Sequence, residues 1–597
     1  MCKIKGNKVR NFFISLSIIY FLLTLVSYIK FGYSEVVIEN INKKSNYSAD
    51  SNVYINYIAI DNKKVFNKGL KGNYISNNEY EIKVIQNDKV VVKAPYFSKV
   101  TVSFKKTIDS GYVKIKDLKR NRIINLFGKN DNVICYTSIT PFICYLIYVF
   151  VMVLLFILIY KFIDYFSNNK FFKYLYNSNI IWILLTGIST RIFFLRYFRT
   201  FYILSFDTAS YYDFVVTVRT PVYPILFSFL KLITFSKSSC YVSMVILQMV
   251  IGLFSIVLFW KIIKDIASKK VSIIITLLFA NMPYLIYFEH LLLSDSISIF
   301  LLLLCIRIIQ KYLIEQSRKN IILLTISVVM SIYERPSFIY LIPLILIFLI
   351  IYGLWNHRKD VLRHSVYMVV PIIFVIVYCI ICYNRFNIFE FTVVPSLYNK
   401  GYNVTTNNYY DGTKYNDIEE RVNYYKYNYN NNHWDYVYPV FLKYGKSYID
   451  FLNSSEKINR KEYIYNVINR FVDNFHETLV TCNISYHDNI DFDHNQYFIA
   501  ENRLYREIVM NYFFFPFTYG FLIVFSLFSL GFDLYKWIVR RRVCWLKIGL
   551  SSIIFSTIFI SFYNSINDFK RLTITVIPCT YLLIAQWISE IRIKVNK

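Results

Sequence analysis

The chain has 597 residues, 56% of them hydrophobic, with a formal net charge of +29. It is too apolar for one soluble domain, and many of its apolar runs approach the length of a bilayer crossing. Lys and Arg outnumber Asp and Glu by 67 to 38, yet the basic clusters lie in short gaps between apolar runs, where they report orientation and not a nucleic-acid partner.

The first apolar run, roughly 11 to 29, follows Lys3, Lys5, Lys8 and Arg10, which places its N-terminal side in the cytoplasm. No small-x-small cleavage site follows it, so residues 1–32 read as an uncleaved membrane anchor. Residues 33–134 alternate apolar and polar side chains in short stretches, "VYINYIAI", "YEIKVI", "KVVVKA" and "KVTVSF", broken by "QNDK" and "APYF". That pattern predicts a small extracytoplasmic β-domain, a sandwich. A second span over 139–164 returns to an inside loop holding Lys161, Lys170 and Lys173, and a third run, 177–198, crosses outward again.

The third run opens a core of spans over 177–384, whose first outer loop covers 199–240. The apolar stretch 221–236 inside that loop reads as a helix lying in the outer interface, with Tyr223 near its start and Lys231 near its end, because a span there would reverse every later assignment. Further runs fall near 241–263, 271–288, 291–311, 320–333, 337–355 and 366–384. Every second gap is basic: Lys264, Lys269 and Lys270; Arg318 and Lys319; His357, Arg358, Lys359 and Arg363. Residues 385–510 form a large external loop domain, in which 455–480 read as an amphipathic helix. Residues 511–597 hold the last runs, near 511–538, 546–563 and 572–592, with Arg540, Arg541 and Arg542 inside. The expected fold class is a polytopic α-helical membrane protein of about twelve spans, with a small external β-domain and a large external loop domain. It is placed in the plasma membrane, multi-pass, with both termini cytoplasmic.

The ten cysteines are scattered, several of them inside apolar runs (Cys144, Cys305, Cys379), and the CxxC spacing of Cys379 and Cys382 lies within such a run with no His at metal spacing. Neither a zinc site nor a disulfide framework is expected, and no cofactor is predicted. The wealth of Lys, Asn, Ile, Tyr and Phe is the composition an AT-rich genome produces and points to a low-GC bacterium.

The stretch "LSFDTASYYDFVVTVRTPVYPILFSFLKLI" puts Asp207, Asp213 and Arg219 directly before an apolar run. The ordinary reading of Asp207 is a solvated loop acid or helix cap. On a helix Asp207 and Tyr211 share a face while Asp213 does not, so one acid is singled out and not a dyad. Glu289 and His290, Asp295, Glu334 and Arg335 in "YERPS", and Lys570 and Arg571 in "NDFKRL" converge on the same outer level. Asp295 is the most telling, since a carboxylate within a span costs about 2.5–3.5 kcal/mol and is usually partnered or functional. The ordinary reading of the basic residues is snorkelling, but Arg335 and Arg571 run against the positive-inside trend, which suggests an anion. The loop around Trp434, dense in Tyr and Asn, suits either sugar stacking or a plain surface loop.

In order and sidedness these stretches, with "RTPVYPILFSFL", "LLLSDSISIFLLL", "ERPSFIYLIP" and "FKRLTITVIPCTYLL", resemble the GT-C class of membrane glycosyltransferases, such as protein O-mannosyltransferases and the lipid A aminoarabinose transferase. The resemblance covers 177–592. It implies that Asp207 is the catalytic base and that the donor is a polyprenyl-phosphate-linked sugar. The acceptor would be an extracytoplasmic glycan, lipid or protein. Such enzymes often carry a second acid beside the first; here the neighbours are Phe206 and Thr208, so no metal site of the oligosaccharyltransferase kind is expected. An inverting transfer needs one carboxylate to take the acceptor proton and cations for a phosphate leaving group. Arg219, Arg335, Arg571 and Lys570 are the candidate cations, Tyr211 a substrate contact, and Asp213, Glu289 and Asp295 supporting acids. Competing readings are a lipid-linked glycan flippase or polymerase, a transporter, or a non-catalytic receptor. Transporters often show internal repeats and Gly-broken helices, whereas this chain shows no repeat and has 15 glycines.

Overall fold

A computed structural model of the chain describes most of residues 11–22, 33–138, 150–161, 178–394, 440–458 and 519–595, with short gaps inside these stretches and isolated positions between 397 and 469. Two compact units divide at Thr200 and Phe201.

The first unit holds helix α1 (Asn11–Leu22), a β-sandwich and helix α2 (Asn179–Phe198). The sandwich strands are β1 (Tyr33–Asn40), β2 (Val53–Ile60), β3 (Lys63–Lys64), β4 (Lys71–Gly72), β5 (Tyr74–Ser76), β6 (Ile82–Val84), β7 (Lys89–Pro95), β8 (Lys99–Lys105), β9 (Tyr112–Lys116), β10 (Asn121–Asn125) and β11 (Asn132–Ser138). One sheet runs β10-β9-β1-β7-β4 and the other β11-β8-β2-β6-β5, with β3 beside β2. Their pairings are antiparallel, and alternate residues such as Val36, Ile38, Val90, Val92, Val100, Val102 and Phe104 fill the space between the sheets. The "QNDK" break is a tight turn in which Asn87 takes φ 61°, a left-handed conformation that Asn tolerates. Gly72 has φ +133°, and a Cβ there would lie 2.0 Å from the Lys89 carbonyl oxygen, so only glycine lets β4 approach β7. The domain extends to Ser138, past the expected boundary at 134.

The second unit is helical. In chain order it contains α3 (Phe206–Tyr212), α4 (Val222–Ile233), α5 (Lys237–Ile266), α6 (Lys269–Ala280), α7 (Pro283–His290), α8 (Asp295–Ile314), α9 (Arg318–Glu334), a 3-10 turn (Pro336–Tyr340), α10 (Leu341–Trp355), α11 (Lys359–His364) and α12 (Val369–Phe386). After these come α13 (Lys446–Ile458), α14 (Tyr519–Arg540), α15 (Trp545–Asn564) and α16 (Val576–Val595). Helix α5 packs along α8, α8 along α9, and α15 between α14 and α16. The outer faces are apolar, with Phe254, Ile274, Ile326, Ile347 and Ile373 exposed. Buried Ser255, Ser298 and Ser331 donate to their own helix's carbonyls. That inside-out distribution suits a hydrocarbon solvent, in which polar side chains must be satisfied internally.

Four of the described helical segments are long and apolar enough to cross a membrane: Lys237–Ile266, Asp295–Ile314, Pro336–Trp355 and Lys359–Phe386. Shorter apolar helices over Asn11–Leu22, Asn179–Leu195, Val222–Ile233, Trp545–Ser561 and Val576–Ile591 accompany them, so the expected twelve or so spans are not reached among the described residues. The run 271–288, expected as one span, is two helices, because Pro283 removes a backbone donor and pushes Met282 out of the helical region. The stretch 221–236 is largely helical, over Val222–Ile233, and Tyr223 is fully buried against its protein neighbours. Its opposite face, with Ile225, Phe229, Leu232 and Ile233, is exposed. In the 385–510 segment most of the expected helix 455–480 lies outside the described residues; helix α13 ends at Ile458, and its Tyr448, Ile449 and Leu452 pack with Ile388 and Val393 after α12.

Among α14, α15 and α16 lies a polar clamp that the sequence reading missed. Lys547, fully buried, meets Asp533 at 3.5 Å and Glu590 at 3.2 Å, and stands 3.8 Å from the Trp587 ring centroid. Lys536 joins Glu590 at 3.3 Å. Buried Asp533 and half-buried Glu590, on two of these helices, thus neutralise a lysine on the third.

Candidate active site

The segment leading into α3 reaches the helical core through a short backbone bridge. The Ile203 amide donates to the His290 carbonyl at 2.9 Å, and the Leu292 amide returns a bond to the Ile203 carbonyl at 3.0 Å. Helix α3 starts three residues later and rests on the same corner. There the Thr208 hydroxyl donates to the Leu292 carbonyl at 3.3 Å, and the Tyr211 and Ser294 hydroxyls lie 3.4 Å apart. Asp207 occupies the first turn of α3, four residues before Tyr211, so it stands one turn away along the helix; its side chain lies outside the described ones. Asp213 falls past the end of α3 and is exposed.

Arg219 is half-buried. Its Nε donates to the Ser210 hydroxyl at 2.7 Å, its guanidinium carbon lies 4.6 Å from the Tyr211 ring centroid, and its carbonyl accepts from the Tyr378 hydroxyl at 2.9 Å. A stacked, hydrogen-bonded guanidinium is held in one plane, which suits a flat, forked contact with an oxyanion. The next residue, Thr220, donates to the Glu334 carbonyl at 3.1 Å and ties this loop to the end of α9.

Arg335 and Asp295 form a buried ion pair, Nη1 to Oδ1 at 2.7 Å. Asp295 is the first residue of α8 and Arg335 caps the C-terminus of α9. Each charge therefore sits at the helix end whose dipole favours it. Glu334 is buried beside this pair, and neither of its carboxylate oxygens meets a donor among the described residues. Glu289 and His290 close α7 and are buried next to the corner. Burial holds the Tyr223 phenol well above its ordinary value, with Tyr211, Glu334 and Asp295 adding to the effect, so Tyr223 stays a neutral hydrogen-bond donor.

The structure therefore gathers Tyr211, Arg219, Glu289, Asp295, Glu334 and Arg335 around one corner and leaves Asp213 outside it. Lys570, Arg571 and Trp434 lie outside the described residues. Ser210, Thr220, Gln248, Ser294 and Ser296 also belong to the network, although nothing in the sequence analysis marked them. Only Gln248, an amide in the middle of an apolar run, carried a signal that could have marked it.

With this geometry in view, residues 218–383 match the family model described as dolichyl-phosphate-mannose-protein mannosyltransferase. Over that segment the match supports the resemblance to GT-C glycosyltransferases noted in the sequence. The matched segment contains Arg219, Gln248, Glu289, Asp295, Glu334 and Arg335, the inner wall of the cluster. No curated protein matches the chain.

Proposed function

We propose that this GT-C-like chain is a membrane glycosyltransferase that moves a sugar from a polyprenyl-phosphate donor to an extracytoplasmic glycan, lipid or protein, with inversion at the anomeric carbon. The observation that carries the reading is the coincidence of the family match with the buried polar corner: the matched residues supply the cations and acids against which α3 is seated. Asp207 takes the proton of the acceptor hydroxyl as that oxygen attacks the anomeric carbon. The bond from the anomeric carbon to the phosphate oxygen breaks, and its electron pair leaves with the lipid phosphate. A phosphate leaves without being protonated, so one carboxylate suffices, unlike the pair needed to expel an alkoxide.

Arg219 takes the first phosphate contact in this reading, because it is half-buried and its guanidinium already lies over the Tyr211 ring, hydrogen-bonded to Ser210. Arg335 ranks behind it, since Asp295 already neutralises its charge, and Arg571 and Lys570 remain further cations for the phosphate. Purified full-length protein, given a labelled polyprenyl-phosphate hexose and an envelope glycan acceptor, is expected to release the lipid phosphate and label the acceptor. Donor that stays intact with every sugar and acceptor tried would exclude the reading.

A further inference from the structure

Gln248 takes no part in the chemistry just described, yet the polar corner is organised around it. It lies in mid-α5 and is fully buried. Its Nε2 donates to the carbonyls of Leu291 and Leu293, both at 3.0 Å, and to the Ser296 hydroxyl at 3.1 Å, while its Oε1 accepts from the Tyr223 hydroxyl at 3.3 Å. Two N–H groups serve three acceptors, so one bond is shared. The partners fix which way the amide faces: reversed, its oxygen would confront two carbonyls that cannot donate.

Both arms of this amide end on α3. On one side, the Leu291–Leu293 stretch carries the backbone bridge to Ile203 and accepts from Thr208. On the other, the Tyr223 ring packs edge-on to Tyr211 with centroids 4.8 Å apart. The same corner continues directly into Asp295 and its pair with Arg335. A neutral amide at the hub joins these parts without adding a charge to a site already rich in them.

We propose that Gln248 is a positioning residue of the transfer reaction, fixing the Leu291–Ser296 corner against Tyr223 and thereby setting where α3 presents Asp207. The proposal rests on reading Asp207 as the base. A displacement of about 1 Å at such a site lowers turnover about 10²-fold. Gln248→Glu keeps the shape but sets an acceptor against two carbonyls. Gln248→Leu keeps most of the bulk and removes both arms, and Tyr223→Phe deletes one hydroxyl and leaves the ring in place.

The experiment is steady-state transfer by the purified full-length protein with a labelled polyprenyl-phosphate hexose, kcat being taken per folded molecule well below each variant's unfolding midpoint. Gln248→Glu and Gln248→Leu are expected to lower kcat about 10²-fold, with donor KM within about threefold of wild type, and Tyr223→Phe to lower kcat about tenfold. Unchanged kcat with a lowered unfolding midpoint would make Gln248 a purely structural amide and overturn the proposal, as would a loss confined to KM. Should both Gln248 variants fail to fold, Tyr223→Phe decides alone, and wild-type kcat in that variant overturns the proposal. A wild type that transfers no sugar overturns the reaction itself, whereas an active wild type with unaffected variants overturns only the positioning role.

Discussion

The Arg335–Asp295 pair has a nitrogen-to-oxygen distance of 2.7 Å and almost no exposure. Removing one partner of such a pair leaves an uncompensated buried charge and costs about 3–5 kcal/mol, whereas replacing both with apolar side chains is often neutral. Asp295→Leu and Arg335→Met are each expected to lower stability by that order, and the double variant to regain most of it, as read by unfolding of the solubilised protein. Additive losses would contradict the pairing. Arg219 is different, being half-buried and stacked on Tyr211. Arg219→Lys keeps the charge but loses the fork and the stack, so donor KM is expected to rise about tenfold, the effect of about 1.4 kcal/mol, with stability lowered by about 1 kcal/mol. An unaltered KM would shift the phosphate contact to Arg335 or Arg571.

At the scale of elements, strands with alternating patterns were legible in the sequence, and "VYINYIAI" became β2 residue for residue. Strands β1, β9, β10 and β11 were not individually marked, because pairing with neighbours and not local pattern defines short strands such as "NRIIN". The break at Pro283 was written in the sequence yet overridden by the apolar length of 271–288, a case in which hydropathy concealed a backbone constraint. Within the site, charged residues were legible because charges in apolar runs are rare. Ser210, Thr220 and Ser294 were not, since an isolated hydroxyl in a loop or helix end has no periodicity and acquires a role only through partners distant in sequence. Gly72 offers a test of the sandwich. Gly72→Ala forces a side chain into φ +133° and against the Lys89 carbonyl. A loss of about 1–3 kcal/mol follows, read as faster limited proteolysis of the full-length protein within 33–138, and wild-type resistance would contradict the close approach of β4 to β7.

For the molecule as a whole, the basic loops predict the sidedness. A cysteine at Asn87, exposed in the turn before β7, is expected to react with an impermeant maleimide in intact cells. One at Asn356, exposed in the turn after α10, is expected to react only after lysis. The reverse pattern would invert the topology and place α3 on the wrong side for lipid-linked sugars used outside the cell. On the proposed function, a carboxylate on α3, set against the matched core, performs sugar transfer. The most direct measurement compares wild-type and Asp207→Asn protein for both binding and turnover of a labelled polyprenyl-phosphate hexose. Transfer is expected to fall by about 10²–10⁴, the effect of a lost general base, while donor binding persists because the phosphate contacts lie on other residues. Full transfer activity in Asp207→Asn would rule out Asp207 as the base and leave α3 without a catalytic role.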